Sequence, residues 1–178
     1  MFIDSHCHID FPELADNIES VLRKMRENQV DRCLCISVNL DDFPRVLKLA
    51  ETHDNVFATV GVHPDYEDIE EPDVARLVQL ANHPKIIGIG ETGLDYYRLT
   101  GDLEWQRERF RTHIRAAKRC GKPLIIHTRA AAADTVRLLR EEGAEQVGGG
   151  HISNSRGLRQ ARTLRRCAVS SAPAVRFT

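Results

Sequence analysis

Apolar residues along the first 149 positions follow two alternating rhythms. Short, nearly continuous runs read as buried strands: Phe2 and Ile3, Arg32 to Val38, Val56 to Val60, Ile86 to Gly90, and Pro123 to Ile126. Between them the apolar positions recur at helical spacing. Leu14, Ile18, Val21, Leu22 and Met25 form one such stripe, and Val46, Leu47 and Ala50 a second after Asp41, Asp42 and Pro44. Val74, Leu77, Val78 and Ala81 form a third beyond Pro72. Phe110, Ile114 and Ala117 lie within a longer helix from Leu103 to Cys120 that stops at Gly121. Ala132, Val136 and Leu139 face inward from the next helix, which ends at Gly143, and Gln146 to Gly149 begins a short, glycine-rich sixth strand.

Strand and helix repeat at roughly 23–37 residue intervals, the rhythm of βα units with parallel strands. A doubly wound sheet and a (β/α)8 barrel both fit that rhythm. The polar residues favour the barrel. His6 and His8, His63, Glu91 and His127 each follow a different strand, as in barrel sites assembled from several strand tips. No G-x-G-x-x-G follows the first strand, which weakens a dinucleotide-binding alternative. The predicted fold class is therefore α/β, a TIM-type barrel plan that is incomplete, with about five to six βα units present.

The chemistry comes from the same positions. On an extended backbone, residues two apart share a face, so His6 and His8 present two imidazoles to one divalent ion. His127 would hold a second ion, and Glu91, with one oxygen for each, is the natural bridge. Such a pair of ions polarises a phosphoryl oxygen and supplies hydroxide near neutral pH. Mixed nitrogen and oxygen donors do not separate Mg2+, Mn2+ and Zn2+.

Composition narrows the setting. The chain has 178 residues, 42% hydrophobic and 29% charged, and no apolar run of membrane-spanning length. Five cysteines form no C-x-x-C pair, and the opening residues lack the basic head and apolar stretch of a signal peptide. A reduced, cytoplasmic protein is expected. The net charge of −1 hides an asymmetry: residues 150–178 hold six arginines and no Asp or Glu, so the first 149 carry a net of −7. A nucleic-acid partner of that main body would be held by metal ions and a few arginines, not by a broad basic surface.

The blocks Asp4-Ser5-His6-Cys7-His8, Gly61-Val62-His63-Pro64, Gly90-Glu91-Thr92-Gly93-Leu94-Asp95-Tyr96 and Pro123-Leu124-Ile125-Ile126-His127-Thr128-Arg129 appear in that order. Together they resemble the TatD-type deoxyribonuclease family of metal-dependent hydrolases, over residues 1–149. The resemblance implies a TIM-type barrel, a divalent metal centre and hydrolysis of DNA phosphodiester bonds, of the 3′–5′ exonuclease type, at strand ends. By motif match His6, His8, Glu91 and His127 are expected as metal ligands, Glu91 also as the catalytic carboxylate, and His63 and Arg129 beside the substrate phosphate.

The resemblance has a boundary. The family's later H-C-F histidine and T-D-S-P aspartate are both missing. The chain instead reads Gly148-Gly149-Gly150-His151 and continues into the arginine-rich tail, 150–178, which reads as non-native or frame-shifted, or as a basic nucleic-acid-binding arm. His151 lies near the position of the family histidine. Two other readings follow: a small ester or amide hydrolase of the same barrel superfamily, and a truncated, catalytically inactive fragment. Five or six units cannot close an eight-stranded barrel, so self-association through an uncovered edge is expected. The Arg107 to Arg119 stretch reads as a wet outer helix face, and His113 as a packing or solvated histidine.

Overall fold

The computed structural model describes residues 1–97, 99–147 and 149–153. The apolar runs become strands β1 (Phe2–Cys7), β2 (Val30–Cys35), β3 (Val56–Val60), β4 (Ile86–Asp95), β5 (Leu124–Arg129) and β6 (Gly149–Ser153). Every neighbouring pair is parallel, and the spatial order is the chain order, β1-β2-β3-β4-β5-β6. A doubly wound sheet reverses its order part-way along. This one never does, so right-handed crossovers stack the helices on one face and leave the other as the inside of a curl. The barrel plan is present over six strands.

The helices are α1 (Pro12–Ala15), α2 (Ile18–Glu27), α3 (Phe43–Thr52), α4 (Val74–Ala81), α5 (Glu104–Cys120) and α6 (Ala132–Glu141), followed by a 3-10 turn at Ala144–Gln146. Local chemistry sets several ends. Asp73 caps α4 by accepting the Arg76 N–H at 2.7 Å, and Gly121 closes α5 in the left-handed conformation. The stripe from Leu14 to Met25 is not one helix. The Asn17 N–H closes the first turn on the Leu14 carbonyl, and its own carbonyl accepts from Ser20 and Val21 to start the next helix. Leu14 consequently stays exposed, whereas Leu22 is buried.

Two apolar layers separate the faces. The larger packs the sheet against the helices and includes Cys33, Cys35, Val56, Ala58, Leu124, Ile126, Phe110 and Ile114. The smaller lies inside the curl, built from Leu34, Ile36 and Ile125 with Phe57 and Ile87 against them. The two-residue alternation of a strand then assigns the site. Cys7 joins the helix-side core, so His6 and His8 point inward; Ile126 joins the same core, so His127 points inward beside Ile125.

Two glycines let β4 lie close against β5. Gly90 and Gly93 have φ of 140° and 141°, and a Cβ on either would overlap a β5 carbonyl oxygen, that of Ile125 and that of His127 respectively. Glu91 sits between them. The β4–β5 ladder continues to the Asp95–Arg129 pair, so Glu91 and His127 lie within strands, a few residues before the tips expected for them. His6 likewise lies within β1, His8 one residue beyond it and His63 in the loop after β3.

Among the described residues β1 pairs with β2 alone and β6 with β5 alone. Met1, Phe2 and Ile3 are exposed along the β1 edge. No helix among these residues is long and apolar enough to cross a membrane, and Cys7, Cys33, Cys35 and Cys120 are free thiols. β6 runs across the 149/150 boundary at which the sequence changes composition; residues 154–178 and the His151 side chain lie outside the described part.

Candidate metal centre

Five side chains meet on the inner face, joined in a row. His8 and His6 approach through their Nε2 atoms at 3.2 Å. Glu91 Oε2 lies 3.4 Å from His6 Nε2, and Glu91 Oε1 lies 3.3 Å from His127 Nδ1. His63 Nε2 completes the row, 3.1 Å from His127 Nδ1. The row resolves into two groups whose donor atoms lie within 4.8 Å of one another: His6, His8 and Glu91, and His63, Glu91 and His127. Glu91 belongs to both and turns one oxygen to each. It is only 4% exposed.

The protons on these rings follow from their second contacts. His8 Nδ1 is 3.2 Å from the Ile36 carbonyl, so it carries the proton and leaves Nε2 with a free lone pair. His127 Nε2 is 3.0 Å from Asp95 Oδ2 and donates to it, which frees Nδ1 toward Glu91. His63 is arranged the other way. Its Nδ1 accepts the Asp65 backbone N–H at 3.2 Å, so the neutral ring carries its proton on Nε2. His63 therefore presents a hydrogen-bond donor to the group, whereas the other rings can present lone pairs.

Electrostatics agree with that division at His6 and His63 and oppose it at His127. Burial lowers the pKa of His6, against an opposing pull from Glu91. Burial and then the neighbouring His127 lower His63 to about 4, so it is neutral near pH 7. Burial pushes Glu91 up, but the His127 hydrogen bond and the surrounding imidazoles outweigh it and hold the carboxylate ionised. For His127, burial is outweighed by hydrogen bonds to Glu91 and Asp95, and its pKa rises. A proton and a divalent ion would thus compete for His127 Nδ1.

The donor set fits a divalent ion. Metal–nitrogen bonds of about 2.0–2.1 Å in a tetrahedral site place neighbouring donors roughly 3.3 Å apart. The contacts within His6, His8 and Glu91 and between Glu91 and His127 match that spacing. Ligation requires an ionised carboxylate, which Glu91 provides, and neutral imidazoles, a state that burial favours at His6.

Asp95 is the site residue that sequence reasoning left without a role. It is buried, accepts the Tyr97 N–H at 2.9 Å and fixes the His127 ring through its other oxygen. The signal available was a carboxylate four residues after Glu91 in the same strand. Arg129, two residues beyond His127, stacks on the exposed Tyr97 ring at 3.7 Å. Tyr96 is tied back instead: its hydroxyl donates to Asp134 at 2.8 Å and accepts from Arg107 at 2.9 Å.

The profile of TatD-related DNases matches residues 3–178. The chain belongs to that family. The family match runs past residue 149, where the motif resemblance stops. An uncharacterized metal-dependent hydrolase of Buchnera aphidicola subsp. Baizongia pistaciae is 36% identical over 165 residues, covering 91% of this chain and 62% of the relative. The metal-dependent hydrolase YcfH of Escherichia coli K12 is 37% identical over 150 residues, covering 83% and 56%. The crystal structure of YJJV, a TatD homologue from Escherichia coli, superposes with a TM-score of 0.80 at 29% identity, covering 93% of this chain and 65% of that one. This TatD-family chain thus spans about three-fifths of the length of the relatives it matches. The curated relatives it matches are described as metal-dependent hydrolases.

Proposed function

We propose that the protein hydrolyses phosphodiester bonds in DNA, removing nucleotides from 3′ ends. Its centre would hold two divalent ions, Mg2+, Mn2+ or Zn2+, with His6, His8, Glu91 and His127 as ligands. The observation that carries this reading is the buried Glu91 carboxylate, which offers one oxygen to the His6/His8 pair and the other to His127. When bound, two such ions supply charge stabilisation to a phosphoryl group and a water acidic enough to ionise near neutral pH. The family's description as related to DNases supports the choice of DNA.

The chain's own residues account for the rest. Asp95 holds His127 with Nδ1 toward Glu91, so the ring need not reorient on ligation. His63 directs an N–H into the same space and is suited to donate a hydrogen bond to a phosphoryl oxygen. Arg129, held over the Tyr97 ring, offers a guanidinium for the adjoining phosphate. The acidic main body makes metal the principal source of positive charge at the site.

A 5′-labelled single-stranded oligonucleotide tests the reading directly. With added Mg2+ or Mn2+ it should shorten stepwise from its 3′ end, stop in EDTA and resume when metal is restored. His6→Ala should lower the rate at least about 100-fold. Cleavage that survives EDTA or the His6→Ala substitution would refute the proposal. So would metal-dependent hydrolysis of small esters or amides with oligonucleotides untouched, or stoichiometric metal binding with no hydrolysis.

A further inference from the structure

Helix α5 carries a buried polar stripe at positions 106, 109 and 113, on the side that meets the sheet. Gln106 and His113 are fully buried and Arg109 is 3% exposed. This overturns the expectation that the 107–119 stretch is simply a wet outer face. Polar side chains in such a place cost desolvation unless they find partners, and an apolar residue would pack there more favourably. The partners are three consecutive residues of the loop after β3. His113 Nε2 accepts the Val62 N–H at 3.0 Å, Arg109 Nη1 donates to the His63 carbonyl at 3.1 Å, and Gln106 Nε2 donates to the Pro64 carbonyl at 3.0 Å.

Each member of the stripe is itself fixed. His113 Nδ1 lies 2.8 Å from the Arg109 carbonyl, which puts its proton there and leaves Nε2 as the acceptor. Arg109 forms a two-pronged pair with Glu71. Gln106 also accepts the Asp95 N–H at 2.9 Å and donates to the Asp95 carbonyl at 3.2 Å. One helix face therefore grips the backbone on both sides of the centre: around His63, and at Asp95, which orients His127. Its bonds to these segments end on backbone atoms.

We propose that Gln106, Arg109 and His113 are positioning residues that hold the 62–64 loop so that His63 keeps its Nδ1 on the Asp65 N–H and its Nε2–H toward the site. The consequence for turnover rests on the proposed phosphodiesterase reading; the consequence for the ring does not. A loop released from α5 would let His63 move off the Asp65 amide, and its two tautomers would then mix.

Long-range 1H–15N correlation spectra of the full 15N-labelled chain, without metal, read the tautomer of each histidine. The wild type should show His63 protonated at Nε2 and His113 at Nδ1. In His113→Leu the His63 signals should move to values averaged over both tautomers. The rate constant kcat on a labelled oligonucleotide should fall about 10- to 100-fold, with KM changed less than about threefold. His113→Gln, whose amide can accept from Val62 and donate to Arg109, should restore both readouts. If His113→Leu does not fold, Arg109→Lys, which loses the reach to both Glu71 and the His63 carbonyl, should give the same mixed signals. A folded His113→Leu or Arg109→Lys in which His63 stays wholly protonated at Nε2 would overturn the proposal. A wild type with no hydrolysis would instead sink the functional reading and leave the spectra to decide this one.

Discussion

Four imidazoles, three at the centre and His113 behind it, have their protons placed by neighbours rather than by chance. A carbonyl sets His8 and His113, a carboxylate sets His127, and a backbone N–H sets His63. Asp95 is the most exposed to test. Asp95→Asn keeps the shape but removes the charge that holds His127, and calorimetric titration should show divalent affinity about 10- to 100-fold weaker in a folded chain. Unchanged affinity would show that His127 needs no such support. The pH dependence belongs to His113. Burial lowers its pKa to about 4 from the ordinary 6.5, so between those values the unfolded chain takes up a proton that the folded one refuses. Its contribution is therefore complete above pH 6.5 and is lost as pH falls toward 4, by roughly 1.4 kcal/mol per pH unit. His63 acts with the same sign, so His113→Gln should reduce the acid sensitivity of the metal-free protein without abolishing it. Urea unfolding at pH 7, 6 and 5 checks this, and identical slopes for the two proteins would refute it. His6, His8, His63, Glu91 and His127 were legible in the sequence because polar groups at the ends of apolar runs stand out. Gln106, Arg109 and His113 were not, because a charged helix with an apolar stripe has the same appearance whether its polar residues meet water or a loop from elsewhere in the chain.

At the scale of elements, β4 decides the geometry, since it carries both Glu91 and Asp95 and lies pressed against β5. Gly93 is the sharper of its two contacts with that strand. Gly93→Ala would place a methyl on the His127 carbonyl oxygen in a backbone conformation that alanine resists, and should cost at least about 1–3 kcal/mol. It should also weaken metal binding, because Glu91 and His127 would be moved apart. Urea denaturation with a parallel metal titration measures both. A variant as stable as wild type would show that the strands can separate freely there. The strands and most helices followed from period alone: β3 has the bounds read from the sequence, and α5 starts one residue later than expected. The break at Asn17 was missed because the apolar spacing from Leu14 to Met25 is continuous, and only the backbone of Asn17 interrupts it. The length of the β4–β5 ladder was also missed. Glycine and glutamate argue against a strand locally, and pairing with β5 overrides them.

At the scale of the molecule, six parallel strands in chain order make an open curl whose inner face bears the site. The β1 edge is long, carries exposed Phe2 and Ile3, and among the described residues has β2 as its single partner. Such an edge promotes pairing between copies. The chain is expected to self-associate with rising concentration, and Ile3→Lys to oppose it; sedimentation equilibrium distinguishes this from a monomer at every concentration. The central claim is that one buried carboxylate joins two histidine groups into a binuclear centre. Anomalous diffraction from crystals soaked in Mn2+ tests it most directly. Two manganese peaks about 3.5–4 Å apart should flank Glu91, one against His6 and His8 and the other against His127. Manganese bound elsewhere, or peaks that leave Glu91 uncoordinated, would contradict the account.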